Sequence, residues 1–364
     1  MKRGFFMKKF RVGVIGGTGM VGQRLLSLLV DHPWFEVTAI AASANSAGKR
    51  YEDAIKGRQL VKFDIPDAIK NIIVSDAEDV AGVSSKVDFV FCAVNMKKDE
   101  IKKLEEAYAK AECPVVSNNS AHRGTPDVPM IIPEINASHA DIIPYQRKRL
   151  GTRRGFIAVK SNCSIQSYVP AISALMDLNP TKIAVCTMQA ISGAGKNFDT
   201  WPEMLDNVMP YIAGEEEKSE IEPMKVWGKI ENGIIAPAVT PSITAQCLRV
   251  PVTDGHMAAV FASFDKKASV EEIIEKWNNY KGAEIARDLP HSPDKFITYF
   301  DDPSRPQTRL DRDLYNGMGI SVGRLRPDTQ YDVKFVCLSH NTLRGAAGGG
   351  VLMAELLCKM GYMD

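Results

Sequence analysis

The apolar positions of this chain form two textures, one following the other. Over roughly the first 160 residues, short apolar runs alternate with stretches of helical periodicity. Phe10 to Ile15 is broken at once by Gly16-Gly17-Thr18-Gly19. Met20, Val21, Leu25, Leu26, Leu28 and Leu29 then recur at the spacing of one helix face. Phe35 to Ala42 predicts a second strand and Asn71 to Val74 a weaker one. Val87 to Val94 is apolar almost without interruption, as expected of a parallel-sheet strand covered on both faces. Lys98 to Ala111 predicts a helix, and Pro114 to Val116 another short strand. This alternation predicts an α/β unit, a Rossmann-type doubly wound parallel sheet.

After Cys163 the pattern changes. Thr181 to Gln189, Ala245 to Val252, Met257 to Phe264, Gly319 to Arg324 and Tyr331 to Leu338 read as strands, several joined through short turns. They predict an α+β domain with a mostly antiparallel sheet, against which helices at about 165–176 and 270–278 lie. A closing helix, Gly348 to Gly361, follows the glycine-rich bend Asn341 to Gly348. A chain of 364 residues is long for one hydrophobic core. The expected domains are 1–161 with 340–364, and 162–339.

Composition narrows the class without naming it. Apolar residues make up 45% and charged residues 24%, with a formal net charge of +1, so no global field favours nucleic acid or a membrane surface. No apolar run approaches the roughly 20 residues of a bilayer span. The basic start, Met1 to Lys9, has too short an apolar stretch for a signal peptide, and Met7 competes with Met1 as the initiator. The seven cysteines, at 92, 113, 163, 186, 247, 337 and 358, lack metal-ligand spacing. They predict reduced thiols in a cytoplasmic protein and no metal. Arg147-Lys148-Arg149 with Arg153-Arg154 reads as a solvated face or an interdomain connection.

Three features carry chemistry. Gly17-x-Gly19-x-x-Gly22 stands between a strand and a helix, where glycines admit a pyrophosphate to backbone N–H groups. At the end of the second strand an NAD site would carry an acid. Ser43 stands there with Lys49 and Arg50 nearby, so the expected cofactor is NADP. Cys163 precedes the expected helix at 165–176, whose first turn would favour a thiolate; a buried structural thiol is the other reading. His256, between a turn and a strand, is a candidate general acid/base, with a structural histidine as the alternative. Arg249, seven residues earlier, has the planar fork for a substrate carboxylate, or for a surface salt bridge.

Seven segments, in this order, resemble the aspartate-β-semialdehyde dehydrogenase family, especially its archaeal and fungal branch: GGTGMVGQRL, SANSAGKRY, SNCS, MQAISGAGK, GEEEKSEIEPMK, LRVPVTDGH and NTLRGAAGG. The likeness runs almost the whole length. It implies NADPH-dependent reduction of L-4-aspartyl phosphate to L-aspartate 4-semialdehyde through a cysteine thioester, in lysine, threonine and methionine biosynthesis. It makes Cys163 the nucleophile, His256 the acid/base and Gln189 the residue that orients substrate and thioester. By the same likeness Arg249 holds the α-carboxylate, Glu222 the α-amino group, and Lys225 with Asn119 and Arg123 the phosphate. An acyl phosphate that also carries a carboxylate requires such separate cationic anchors. Cofactor contacts are implied at Gly17, Thr18, Gly19, Met20, Val21, Gly22, Ser43, Ser46, Ser192, Gly193 and Asn341. The implied partners are the small molecules aspartyl phosphate, aspartate semialdehyde and phosphate, and a second copy of the chain in a homodimer or homotetramer. One departure is that Ser164 is followed by Ile165-Gln166 rather than by small hydroxyl residues.

Rival readings differ in substrate or in class. Glyceraldehyde-3-phosphate dehydrogenases place a histidine soon after the cysteine, where this chain has Gln189. N-acetyl-glutamyl-phosphate reductases lack the paired SANSAGK and EPMK features. A malonyl-CoA-type thioester reductase would keep Cys163 and His256. A catalytically silent NADP-binding regulator would keep only the glycine loop.

Overall fold

The computed structural model describes residues 9–61 and 63–364. The basic start up to Lys8, with both candidate initiating methionines, lies outside the described residues. The chain divides into two compact units. One comprises residues up to Pro129, Ala140–Lys160 and Met353–Asp364; the other comprises Met130–His139 and Ser161–Leu352.

The first unit is built on six strands: β1 (Phe10–Ile15), β2 (Phe35–Ala42), β3 (Ser75–Asp76), β4 (Phe89–Cys92), β5 (Val115–Ser117) and β6 (Ile157–Val159). They pair in the order β3-β2-β1-β4-β5-β6, all parallel. β4, β5 and β6 are buried along their whole length, which is why their sequence is a continuous apolar run rather than an alternating one. The chain reverses direction across the sheet between β1 and β4. In an open α/β sheet the crevice at the strands' carboxyl ends at such a switch point is where ligands bind. The expected strand at Asn71–Val74 is displaced: Ile73 makes an isolated bridge to Arg50, and the ladder itself forms at β3.

The basic segment is a solvated face in part: Lys148, Arg149 and Arg153 are exposed, whereas Arg147 and Arg154 are half-buried. The Arg147 guanidinium donates to the carbonyls of Arg154 and Tyr362. That of Arg154 donates to the carbonyls of Asp88 and Met363. Arg149 pairs with Asp127. Arg147 and Arg154 thereby tie the last residues of the chain into the first unit through the carbonyls of Tyr362 and Met363.

The second unit holds β7 (Pro180–Gln189), the hairpin β8 (Lys229–Glu231) and β9 (Ile234–Ala236), β10 (Ser242–Arg249), β11 (His256–Phe264), β12 (Ile297–Phe300), β13 (Ile320–Pro327) and β14 (Val333–Ser339). The main sheet runs β10-β7-β11-β14-β13-β12. Its three central pairings are antiparallel and the outer two, β10 with β7 and β12 with β13, are parallel. Helix Val270–Asn279 starts on a Ser269–Glu272 capping box and buries Trp277, whose indole donates to the Ala171 carbonyl.

Two expectations need correction. The helix over 165–176 does not form. Residues 163–168 pass through successive turns, and α-helix begins only at Val169 and ends at Ser173. Pro170 at the start of that segment suits a first helical turn but not the interior of a longer helix. Residues 340–352 also group with the second unit rather than the first. Arg344, buried, donates to both carboxylate oxygens of Glu134 and to the Met318 carbonyl, and Glu134 itself belongs to the second unit through Met130–His139.

Candidate active site

In the second unit, Cys163 sits in the turn that leads into Val169–Ser173. The helix Glu215–Val226 grips that turn with one face. Glu215, Ser219 and Glu222, at i, i+4 and i+7, share a side and are all buried. Glu222 Oε2 accepts from the Asn162 backbone N–H at 2.5 Å. Both Glu215 oxygens accept from the Asn162 side-chain amide at 3.1 Å. Ser219 Oγ lies 3.3 Å from Ser164 Oγ, and the Ser219 carbonyl accepts from the Tyr168 hydroxyl at 2.6 Å. Asn162 Oδ1 meanwhile accepts from Ser164 N–H at 2.7 Å, closing a local turn over the cysteine. The thiol is therefore held by side chains, not by the end of a helix, and the helix-dipole reason for its activation falls away.

The sheet brings up the other partners at one end. Arg249 and Gln189 are register partners at the ends of parallel β10 and β7, and His256 opens β11 beside them. His256 Nε2 lies 3.5 Å from Cys163 Sγ. Its Nδ1 accepts from the Ala190 backbone N–H at 3.0 Å. A neutral ring that accepts at Nδ1 must carry its proton on Nε2, so this imidazole presents a donor toward the sulfur. The Arg249 guanidinium donates to the Ala190 carbonyl at 2.7 Å, so the backbone of one residue, Ala190, orders both His256 and Arg249. Burial pushes the Arg249 pKa down, while negative charge on Cys163 and Glu215 pushes it back up. Arginine keeps its charge under such opposed shifts.

Ser192, Gly193 and Asn341 also meet here. Asn341 donates to Ser192 Oγ at 2.8 Å and accepts from Gly255 N–H, at the turn before His256. A Cβ on Gly193 would lie 2.8 Å from Arg249 Nη1 and 3.0 Å from His256 Nε2, so only glycine leaves those groups in place. Lys225 is buried one turn beyond Glu222. The other six cysteines, at 92, 113, 186, 247, 337 and 358, are all pushed up by burial, which keeps them as thiols. Cys163 is partly exposed beside an imidazole.

The first unit contains a cleft of about 360 Å³ lined by Gly16, Thr18, Gly19, Ser43 and Ala44, with Asp76, Glu78 and residues 93–96 opposite. A Cβ on Gly19 would meet only the Gly16 carbonyl oxygen, at an ordinary contact distance of 3.5 Å, whereas Gly17 and Gly22 are packing glycines. A Cβ on Gly22 would fall 2.1 Å from the Gly16 carbonyl oxygen. Met20 and Val21 begin the helix Met20–Leu29 and, with Ser46, are not among the cleft-lining residues; Ser46 is buried. Lys49 donates to the Asn45 carbonyl, and Arg50 pairs with Glu52 and Asn71. The shape and glycine packing suit a dinucleotide pyrophosphate on backbone N–H groups.

Asn119 is not disposed as expected. Its amide donates to Glu105 Oε1 at 3.0 Å and to Cys92 Sγ at 3.4 Å, in a cluster completed by Ser117. The neighbouring Asn118 instead has both side-chain amide atoms buried without a hydrogen-bond partner. Arg123 donates to the carbonyls of Asn118 and Lys160. Sequence reading missed Asn118, Asn162 and Glu215. The first two stand beside residues it did single out. Glu215 lies in a run of three glutamates that pattern alone does not separate.

Comparison with known proteins agrees with this layout. The model for the semialdehyde dehydrogenase NAD binding domain matches residues 11–143, and that for the dimerisation domain matches residues 172–344. An aspartate-semialdehyde dehydrogenase of Archaeoglobus fulgidus is 42% identical over 353 residues, covering 96% of this chain and 98% of its own length. One from Aspergillus fumigatus is 40% identical, covering 98% and 99%. The crystal structure of the Candida albicans enzyme with NADP superposes with a TM-score of 0.87 at 36% identity, covering 98% and 100%. Near-complete relatives of this kind, with both family models in the same order, identify this chain as a member of the aspartate-semialdehyde dehydrogenase family of oxidoreductases.

Proposed function

We propose that this chain reduces L-4-aspartyl phosphate to L-aspartate 4-semialdehyde with NADPH, releasing inorganic phosphate, through a thioester on Cys163. The observation that carries the reading is Cys163 Sγ at 3.5 Å from His256 Nε2, beside the Gln189–Arg249 strand ends. Cys163 attacks the acyl carbon as thiolate, the carbon–oxygen bond to phosphate breaks, and phosphate leaves. NADPH supplies the hydride when bound. The Nε2–H of His256 donates a hydrogen bond to the developing oxyanion, and collapse of that tetrahedral adduct breaks the carbon–sulfur bond, returning the Cys163 thiolate and freeing the aldehyde.

Arg249 is the anchor for the α-carboxylate, and Glu222 that for the α-ammonium group. In the second unit Lys225 is the cation for phosphate; within the first unit, taken by itself, Arg123 and Asn118 rather than Asn119 are the groups suited to an anion. Asn118 fits because it is the amide with unmet hydrogen-bonding capacity. In the first unit, backbone at Thr18 and Gly19 takes the pyrophosphate, and Ser43 in place of an acid tolerates a 2′-phosphate. The biosynthesis of lysine, threonine and methionine in the cytoplasm is the corresponding setting.

The test is NADPH formation by purified protein from aspartate semialdehyde and NADP, with and without phosphate. Rapid turnover that requires phosphate is expected. Cys163→Ser should bind NADP as the parent does and lose at least about a thousandfold in turnover, as expected when a covalent nucleophile is removed. Turnover of malonyl-CoA with NADPH, and none of the semialdehyde, would move the chain to a CoA-thioester reductase. Normal turnover in Cys163→Ser would remove the thioester.

A further inference from the structure

Glu215 is a carboxylate with no role in the reaction above. It is nonetheless 8% exposed and surrounded by the site's amides. Its Oε1 accepts from Lys218 Nζ at 2.7 Å and from Asn162 Nδ2 at 3.1 Å. Its Oε2 accepts from Asn162 Nδ2 at 3.1 Å and from Gln189 Nε2 at 3.2 Å. Asn162 directly precedes the nucleophile, and Gln189 comes from β7 across the site. An amide can present either its oxygen or its NH₂ group, and nothing in its own shape decides between them. An ionised carboxylate only accepts, so it turns the NH₂ group of each amide toward itself.

We propose that Glu215 is a positioning residue that fixes the orientation of both amides, Asn162 and Gln189, and through them the geometry around Cys163. With its NH₂ turned to Glu215, Asn162 directs Oδ1 to the Ser164 N–H and hydroxyl, which closes the turn carrying the thiol. With Nε2 spent on Glu215 and on Thr187 Oγ1, Gln189 meets other partners as an acceptor. Lys218 and the neighbouring amides hold the Glu215 carboxyl below its ordinary range against the opposing effect of burial, so the acceptor-only form persists at neutral pH. The catalytic side of this inference rests on the thioester reading; the orientation of the Cys163 turn does not.

The test is Glu215→Gln, which keeps volume but adds a donor, with two readouts. The first is kcat and KM in the semialdehyde assay, alone and combined with Gln189→Ala. The second is the rate of Cys163 alkylation by iodoacetamide across pH, which needs no substrate and so survives failure of the thioester reading. Expected are a kcat loss of tenfold or more, altered alkylation, an unchanged NADP KM, and a smaller loss when Glu215→Gln is added to Gln189→Ala, where only the route through Asn162 is left to disturb. Glu215→Asp, which keeps the charge but withdraws the oxygens, should lose at least threefold in kcat while folded, and covers the case in which Glu215→Gln does not fold. Wild-type kcat and alkylation in either folded variant, or fully additive losses with Gln189→Ala, would overturn the proposal.

Discussion

The residues that matter most are polar groups placed where water is scarce, and their value comes from what they touch. Arg249 is the clearest case. It is buried, its guanidinium is ordered by the Ala190 carbonyl, and its backbone pairs with Met209 on the outer side. A planar fork so placed offers two parallel donors to a carboxylate, whereas lysine offers a point charge. Arg249→Lys is therefore expected to raise KM for aspartate semialdehyde about tenfold or more while lowering kcat less, the pattern of lost substrate binding. Steady-state kinetics measure it, and an unchanged KM would dissociate Arg249 from the carboxylate. Single residues also explain what was misread. Asn118 and Asn119 are adjacent and chemically identical, and only their hydrogen-bond partners separate the committed amide from the unsatisfied one.

Elements determine where those side chains arrive. In the first unit the glycine turn works by close approach: β1, the turn and the helix Met20–Leu29 meet where Gly22 faces the Gly16 carbonyl. Gly22→Ala puts a methyl group 2.1 Å from that oxygen, so the turn must open. NADPH affinity should fall at least about tenfold, or ~1.4 kcal/mol, in a fluorescence titration. Cys163 alkylation, a property of the other unit, should stay at the parent rate. Tight NADPH binding by the variant would sink the assignment of this turn. In the second unit the helix Glu215–Val226 departs from the usual rule, because four of its six buried residues, Glu215, Ser219, Glu222 and Lys225, are polar, beside Pro223 and Val226. A helix that buries mostly polar groups leaves too short an apolar stripe to read, and for that reason the sequence pattern did not predict it.

Across the molecule, large exposed apolar side chains are unevenly spread. Among the described residues seven of eleven fall between Leu205 and Val239, and Val239 is 93% exposed. Exposed apolar side chains so concentrated in one segment suit cover by a second copy of the chain, and the matched dimerisation-domain model spans that segment. Sedimentation velocity should find a dimer or tetramer, and Tyr211→Asp with Val239→Asp should shift it toward monomer. A monomeric parent, or a variant that assembles as before, would refute that use of the surface. None of the described helices is long and apolar enough to cross a membrane.

Periodicity and composition by themselves determined the parallel character of the first sheet, five of the six strands of the second, with β12 unread, and the glycine turn. Each follows from local patterns of burial and backbone freedom that neighbouring residues record. Resemblance across seven segments identified Cys163, His256, Gln189 and Arg249 as a set. Only the tertiary structure decided how the thiol is held. The helix expected at 165–176 is a series of turns, and the dipole argument gives way to carboxylates 50 to 60 residues away in sequence. It likewise decided the tautomer of His256, through the Ala190 N–H, and the commitment of Asn119 to Glu105. Hydrogen bonds between buried polar groups depend on partners distant along the chain, and no local pattern of apolar and polar residues encodes them.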